Sequence, residues 1–181
     1  TWKYLGSRTD VVKEGRMAVI ADFSFLDSEG NDYASEILAD SGYLFILVMH
    51  DIESADESRV DKINELYDFC EESEIPFYAA TSSDDSEIQL WCKRTGAEYP
   101  ILWADDIMLK TMVRANPGVV MLRDGKVEGK WNVEYMPQIE DYDRETALQY
   151  LSEKQSAVCS WQSWLFVLSL SVLFFVVFDL L

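Results

Sequence analysis

Three cysteines and one histidine are the residues of this chain with the strongest capacity for redox, nucleophilic or acid–base chemistry. The cysteines are Cys70, Cys92 and Cys159, and no two of them stand in CxxC spacing or in the spacing of a zinc site. The adjacent pair His50-Asp51 has the residue types of a general base and the carboxylate that orients it. Because no nucleophile accompanies this pair, we interpret His50 as a histidine that ends a strand.

Two of the cysteines fall within predicted helices. Cys70 lies near the C-terminal end of its helix, where the helix dipole disfavours a thiolate, and Cys92 lies on the inward face of the next helix. We expect both to be buried, inert thiols. Two alternatives stay open. One is a disulfide between Cys70 and Cys92, and the other is a thiol enzyme that works through one of these two cysteines. Cys159 lies at the edge of an apolar segment, where packing or lipid contact is the expected role.

Two acidic clusters are better explained by local structure than by ligand binding. The turn Asp27–Asp32 lacks the regular spacing of a calcium-binding loop. The run Ser83-Asp84-Asp85 has the composition of a helix N-cap. We therefore expect no metal ion and no cofactor.

The apolar run Tyr43–Met49 predicts a central strand that is buried on both faces of a sheet. Ser54 and Glu57 have the spacing of a capping box, and apolar residues then recur at helical spacing as far as Cys70. Further strands are predicted at Pro76–Ala80 and Tyr99–Trp103. Helices are predicted between them, from the Ser83 cap to Gly96, and after them, from Asp105-Asp106.

A strand–turn–strand pattern closes the predicted domain. Asp124-Gly125 is a strong hairpin signal between Val119–Leu122 and Lys126–Trp131. After the hairpin, an amphipathic helix is predicted over 143–154. Before the central strand, a leading strand is predicted over Asp22–Leu26 and a short helix over Tyr33–Leu38. Strands that alternate with helices predict an α/β fold whose central mixed sheet is flanked by helices on both faces.

The net charge of −18 excludes most nucleic-acid binding, because such a surface repels phosphate backbones. We interpret the acidity as a solvated surface. The chain begins with Thr1 and shows no signal peptide, from which we expect a piece of a longer protein.

Residues 157–178 carry no charge and form the longest apolar segment of the chain. As a helix they would extend about 33 Å, which matches a hydrocarbon core of about 30 Å. Trp161 and Trp164 stand near the start, where interfacial aromatics anchor a span. A buried core helix is the alternative. The predicted organisation is therefore a lead-in over 1–19, a domain over 20–155 and a transmembrane helix over 157–178, which makes the lipid bilayer the first expected partner.

The order of these pieces resembles thioredoxin-like domains of the TlpA and peroxiredoxin type. The resemblance covers about residues 20–155. It rests on the leading strand and turn, the buried strand with its long helix, Thr95-Gly96 before Tyr99-Pro100, and Ala115-Asn116-Pro117-Gly118 before the hairpin. A narrower resemblance, to the C-terminal domain of bacterial DoxX-type membrane proteins, rests on Val60–Asp68, Thr95–Pro100, Leu109-Lys110-Thr111 and Asn116-Pro117-Gly118.

The resemblance implies a nucleophilic cysteine at the start of the helix after the central strand, and none is present there. The matching stretch, 50–57, carries four acids that would raise the pKa of a thiol. We therefore expect neither thiol–disulfide exchange nor peroxidase activity from this chain.

The resemblance also implies that Asn116-Pro117-Gly118 forms a cis-proline loop facing the stretch that begins with His50 and Asp51. A groove between them could bind an extended peptide. The expected function is a redox-inactive binding or accessory module tethered to a membrane, with a membrane protein or a peptide as partner. The alternative is an accessory domain of a DoxX-type oxidoreductase whose redox centre lies outside this chain. By analogy the domain is expected on the extracytoplasmic, periplasmic side.

Overall fold

The computed structural model describes residues 23–139 and 143–153. The predicted lead-in, 1–19, and the predicted span, 157–178, lie outside these ranges. Among the helices within them, none combines the length and apolar character that crossing a bilayer requires.

A five-stranded mixed sheet forms the centre of the molecule, in the order β3-β2-β1-β4-β5. Strand β1, Tyr43–Met49, has the predicted bounds, and all but its first residue are buried. It pairs in parallel with β2 and antiparallel with β4, while β2 pairs in parallel with β3. The remaining strands are β2 (Phe77–Thr81), β3 (Ile101–Trp103), β4 (Gly118–Arg123) and β5 (Lys126–Asn132).

Helices cover both faces of the sheet, as the sequence predicts. The helices are α1 (Ala34–Ala39), α2 (Val60–Glu72), α3 (Asp85–Thr95), α4 (Asp106–Met112) and α5 (residues 144–153). Helices α2, α3 and α5 pack on the face of β1 that carries Phe45, Leu47 and Met49. Helices α1 and α4 pack on the opposite face, against Leu44 and Ile46. Because side chains alternate along a strand, one apolar run supplies both cores.

The helix ends follow the predicted capping chemistry in α3 and α4. The Asp84 carboxylate accepts hydrogen bonds from the backbone N–H groups of Ser86 and Glu87, and the Asp105 carboxylate accepts one from Met108. Gly96 ends α3 in the left-handed conformation, with φ of 70°. The hairpin turn also forms as predicted, with positive φ at Asp124 and Gly125.

Two local predictions are wrong. Ser54 and Glu57 do not form a capping box, because a 3₁₀ turn over Glu57–Arg59 precedes α2 and Asp56 caps it. The leading segment is not a regular strand in its described part, residues 23–26. Leu26 instead forms isolated bridges to Asp32 and Trp103. Each error arises where tertiary hydrogen bonds replace the local pattern.

Candidate functional site

The carboxyl ends of β1 and β2 and the start of β4 meet at one edge of the sheet. Met49 pairs with Thr81, and Val48 pairs with Gly118. These pairings bring three loops together: residues 50–56, residues 82–83 and residues 114–117. The predicted site residues His50, Asp51, Asn116, Pro117 and Gly118 therefore lie at a common edge, where ligand sites of open α/β sheets form.

Asn116 joins two of these loops by three hydrogen bonds. Its side-chain Nδ2 donates to the backbone oxygen of Asp51 at 2.6 Å and to Ser54 Oγ at 3.1 Å. Its backbone oxygen accepts from the N–H of Asp56 at 3.1 Å. The following peptide bond, Asn116–Pro117, is cis, and the Pro117 side chain is buried. The proline loop is thus pinned against the start of the α2 region.

Gly118 has no room for a side chain. A Cβ at this position would lie 2.2 Å from Val113 Cγ1, far inside van der Waals contact. The proline loop can therefore turn into β4 beside α4 only because residue 118 is glycine.

Two acids of the 50–57 stretch, Asp51 and Asp56, are held in their charged form. The Asp51 carboxylate accepts hydrogen bonds from Ser54 Oγ at 2.7 Å and from the N–H of Glu53 at 3.0 Å. The Ser54 hydroxyl is the largest cause that lowers the Asp51 pKa. The Asp56 pKa is lowered chiefly by the backbone N–H of Ser58. Both carboxylates are therefore ionised at neutral pH, and the start of the α2 region is negative.

Two buried side-chain atoms at this edge make no hydrogen bond within the described residues: His50 Nδ1 and Asn116 Oδ1. The Asp51 carboxylate bonds to the Ser54 hydroxyl and not to His50 Nδ1. Asp51 therefore does not orient His50 through Nδ1 in the manner of a general-base pair. The His50 backbone oxygen accepts a hydrogen bond from the Ser82 hydroxyl.

Cys70 and Cys92 lie away from this edge, and both are free. Cys70 is fully buried near the C-terminal end of α2, and burial raises the pKa of its thiol. The helical rise puts it roughly 20 Å from the start of the 3₁₀ turn at Glu57. Cys92 is half-buried on α3. Neither thiol has the position or the environment of a thioredoxin-type nucleophile.

Sequence reasoning missed the hydroxyl groups of this edge. Ser83 Oγ accepts the backbone N–H of Ile52 at 3.0 Å in a buried hydrogen bond, so β2 helps to shape the loop after β1. The signal was available, because Thr81-Ser82-Ser83 directly follows a strand parallel to β1. Within the described ranges, no group of three or more His, Cys, Asp or Glu residues could hold a metal ion.

Solved structures with related folds include bacterial thiol–disulfide proteins. A protein from Neisseria meningitidis proposed to be a thioredoxin is 14% identical, with a TM-score of 0.50 over 72% of this chain and 85% of that one. A thio-disulfide isomerase from Thermus thermophilus is 20% identical, with a TM-score of 0.46 over 72% of this chain and 89% of that one.

A secreted disulfide oxidoreductase from Mycobacterium tuberculosis is 13% identical, with a TM-score of 0.48 over 75% of this chain and 95% of that one. No family model matches the chain. No curated protein matches it either. At these identities the likeness concerns the fold and not the activity. The mixed five-stranded sheet flanked by helices on both faces is a thioredoxin-like fold.

Proposed function

We propose that this chain is a thioredoxin-like binding or accessory module that works without thiol chemistry and is tethered to a membrane through residues 157–178. The observation that carries the proposal is the acidic stretch between β1 and α2. A thiolate there would face the ionised carboxylates of Asp51 and Asp56, which oppose its formation. The buried thiol of Cys70 cannot substitute, since its raised pKa keeps it protonated.

The contact between the proline loop and the 50–56 loop supports a binding role. Asn116 holds the two loops together, so this edge is ordered before any ligand arrives, and preorganisation lowers the entropic cost of binding. An extended peptide at this edge would bind through its own backbone N–H and C=O groups. Asp51 adds a negative charge that favours basic peptides.

Insulin reduction tests the absence of thiol–disulfide exchange. The full chain, purified in detergent, should show no turnover with dithiothreitol as electron donor, whereas a thioredoxin in the same detergent turns over. Turnover by the chain would contradict the proposal.

Thiol titration tests the alternative that the chain is a thiol enzyme. Cys70 should react with a thiol reagent only after the protein is unfolded. Reaction of Cys70 in the native protein would support the alternative that the chain is a thiol enzyme.

The variant Glu53→Cys/Asp56→Cys provides a matched comparison. It introduces CxxC spacing directly before the 3₁₀ turn and removes two of the acids. We expect the two new thiols to form a disulfide, because backbone N–H groups at the start of the α2 region favour a thiolate and two of the four opposing carboxylates are removed. If this variant reduces insulin and the wild-type chain does not, the residues of the 50–57 stretch account for the inactivity of the wild-type chain.

Fractionation tests the membrane tether. The full chain should sediment with membranes and require detergent for release, while a chain truncated after Gln155 should remain in the supernatant. Recovery of the full chain without detergent would contradict the tether. Protease added to intact spheroplasts tests the proposed periplasmic side, since only an extracytoplasmic domain is cut there.

A DoxX-type membrane oxidoreductase is the second candidate context. The residue strings Val60–Asp68 and Thr95–Pro100 favour it, because they resemble the C-terminal domain of that family. In this context the chain would position a redox centre that lies on another segment or partner. The upstream reading frame tests the idea: a helical membrane bundle with CxC or CxxC would support it, and unrelated coding sequence would remove it.

A further inference from the structure

Three oxidisable aromatic side chains form a series of contacts that runs from the core to the surface. Trp91, on α3, has no exposed surface, and Tyr99, just before β3, is 4% exposed. Tyr67, on α2, is half-buried. Indole and phenol groups lose a single electron more readily than most other side chains. The series lies outside the proline loop and the 50–57 stretch, so it is separate from the site of the proposed function.

Direct contacts join the three side chains. Trp91 Nε1 donates a hydrogen bond of 3.0 Å to the Tyr99 hydroxyl. The ring centroids of Tyr99 and Tyr67 lie 5.6 Å apart in an edge-to-face contact, with the ring planes inclined at 72°. Phe77 packs against both phenol rings, with centroid distances of 5.5 Å to Tyr67 and 5.4 Å to Tyr99. Because electron transfer falls steeply with separation, these contacts make the series a continuous path.

The surface end of the series has a proton acceptor. The Tyr67 hydroxyl donates a hydrogen bond of 2.9 Å to Oε1 of Glu71, whose side chain is exposed. Burial, followed by this hydrogen bond, raises the pKa of Tyr67, so the phenol is neutral at neutral pH. An oxidised phenol is a strong acid, and its proton therefore moves to the carboxylate as the electron leaves. This coupling of proton and electron transfer favours oxidation at Tyr67.

The interior of the series offers no comparable stabilisation. The Trp91 indole donates to a neutral hydroxyl, which is too weak a base to take up the indole proton. Burial raises the pKa of Tyr99 to about 12, which disfavours loss of the Tyr99 proton. Cys70 follows Tyr67 by one turn of α2, and burial raises the pKa of its thiol, which stays protonated and is a poor electron donor. An oxidising equivalent within the series is therefore most stable on Tyr67.

We propose that Trp91, Tyr99 and Tyr67 carry an oxidising equivalent from the core to the surface, where Tyr67 holds it as a neutral tyrosyl radical. A one-electron oxidant, such as an inorganic radical or a ruthenium(III) complex, removes one electron from Trp91 and is reduced by it. An electron then passes from Tyr67 through Tyr99 and restores the neutral indole, while the phenolic proton of Tyr67 moves to the Glu71 carboxylate. A reductant of the ascorbate class returns one electron to Tyr67, and Glu71 returns the proton. The path thereby protects the buried indole from irreversible oxidation.

Photochemical oxidation of the full chain in a maltoside detergent tests the path. Light generates tris(bipyridine)ruthenium(III) in the presence of a cobalt(III) complex as the sacrificial electron acceptor. A nitroso spin trap captures tyrosyl radicals, and peptide mass spectrometry locates the adducts. We expect the adduct chiefly on Tyr67 and less of it on Tyr135, although Tyr135 is 76% exposed and is the more accessible phenol. Ascorbate should suppress the adduct on Tyr67.

Variants connect the radical to this series. Tyr67→Phe keeps the ring but removes the phenol, so irreversible oxidation products of Trp91 should increase severalfold. Trp103, which is 46% exposed and lies outside the series, is the internal reference and should be oxidised to the same extent. Glu71→Gln removes the proton acceptor and should lower the Tyr67 adduct by about tenfold, as expected for the loss of a hydrogen bond to a charged group. The matched control, Tyr135→Phe, should change neither the Tyr67 adduct nor the oxidation of Trp91.

Three outcomes would overturn the inference. They are the absence of an adduct on Tyr67, unchanged oxidation of Trp91 in the Tyr67→Phe variant, and an equal increase of that oxidation in the Tyr135→Phe control. Because insulin reduction and membrane fractionation address other residues, failure here leaves the proposed function standing. Failure of that proposal likewise leaves the aromatic series unaffected.

Discussion

Asn116 shows how much of the candidate site depends on a single amide group. Its two donors and its backbone oxygen connect the proline loop to residues 51, 54 and 56. The sequence drew attention to this position only through its neighbour Pro117. Its partners lie at least sixty residues earlier in the chain, and no local sequence pattern predicts them.

Substitution of Asn116 tests this linkage. Asn116→Ala should lower the free energy of unfolding by about 1–3 kcal/mol, because the Asp51 carbonyl loses its donor in a half-buried setting. Asn64→Ala is the matched control, since that side chain donates one hydrogen bond of 3.2 Å to the Thr95 carbonyl. We expect a loss of about 0.5–1.5 kcal/mol there. Urea denaturation measures both. Equal losses would contradict the special role of Asn116.

The N-cap of α3 gives a residue-scale dependence on pH. The pKa of Asp84 lies below its ordinary value of 3.8, chiefly through the Ser86 hydroxyl. A depressed pKa means that the charged form stabilises the folded state above pH 3.8, and that this contribution is lost as pH falls through the folded-state pKa.

Urea midpoints of the wild-type chain and of Asp84→Ala should therefore differ most near pH 7 and converge below about pH 3.8. The control is Asp85→Ala, in the same turn but not the capping residue, whose effect should be smaller. A difference for Asp84→Ala that stays constant from pH 7 to pH 3 would show that the carboxylate charge does not contribute.

At the scale of elements, α2 and α3 end in different ways although they pack on the same face of the sheet. In α3 the C-terminal cap residue itself, Gly96, is in the left-handed conformation, with φ of 70°. In α2 the cap residue is Ser73, and the next residue, Glu74, is left-handed, with φ of 55°. The backbone N–H of Ile75 bonds to the Cys70 carbonyl at 2.8 Å, which closes the end of α2.

These two ends make opposite predictions. Glu74→Gly should raise the free energy of unfolding by about 0.5–1 kcal/mol, because glycine adopts positive φ without the steric cost of a Cβ. Gly96→Ala should lower the free energy of unfolding by about 1 kcal/mol, because alanine bears the steric cost of a Cβ at positive φ. No clash adds to this cost, since a Cβ at residue 96 meets no other atom within 4 Å. Chemical denaturation measures both. A destabilised Glu74→Gly variant would mean that the Glu74 side chain offsets its strained backbone.

The molecule combines an apolar sheet, packed on both faces, with a sequence that has 33 acidic and 15 basic residues. Some of the basic groups are paired locally, such as Arg94 with Glu57 at 2.6 Å. These exposed pairs offset little of the total charge. Mutual repulsion of the remaining carboxylates therefore opposes the compact state.

Salt should relieve this repulsion. At pH 7 the thermal midpoint should rise when NaCl is increased from about 10 mM to about 200 mM, because the Debye length falls from about 30 Å to below 10 Å. Near pH 4.2, where the net charge vanishes, the same addition should have little effect. A midpoint that falls with salt at pH 7 would show that attractive pairs outweigh the repulsion.

The secondary structure was predictable where the determinants are local. The bounds of β1 follow from an uninterrupted apolar run, and the Asp84, Asp105 and Gly96 caps follow from residues adjacent to the helix they end. The same reasoning failed at Ser54, where the spacing of a capping box is present. There the Ser54 hydroxyl bonds to Asp51 and Asn116 instead. A tertiary contact competed with the local one and prevailed.

The sequence by itself determined the α/β layout, the acidity of the 50–57 stretch and the absence of a cysteine from it, because each depends on residue type and short-range order. Only the tertiary structure decided which loops meet. It placed Asn116 against Asp51, the Ser83 hydroxyl against Ile52, and the ring of Phe77 against that of Tyr67. These contacts join residues on separate elements, and their geometry depends on strand order and register, which no local pattern specifies.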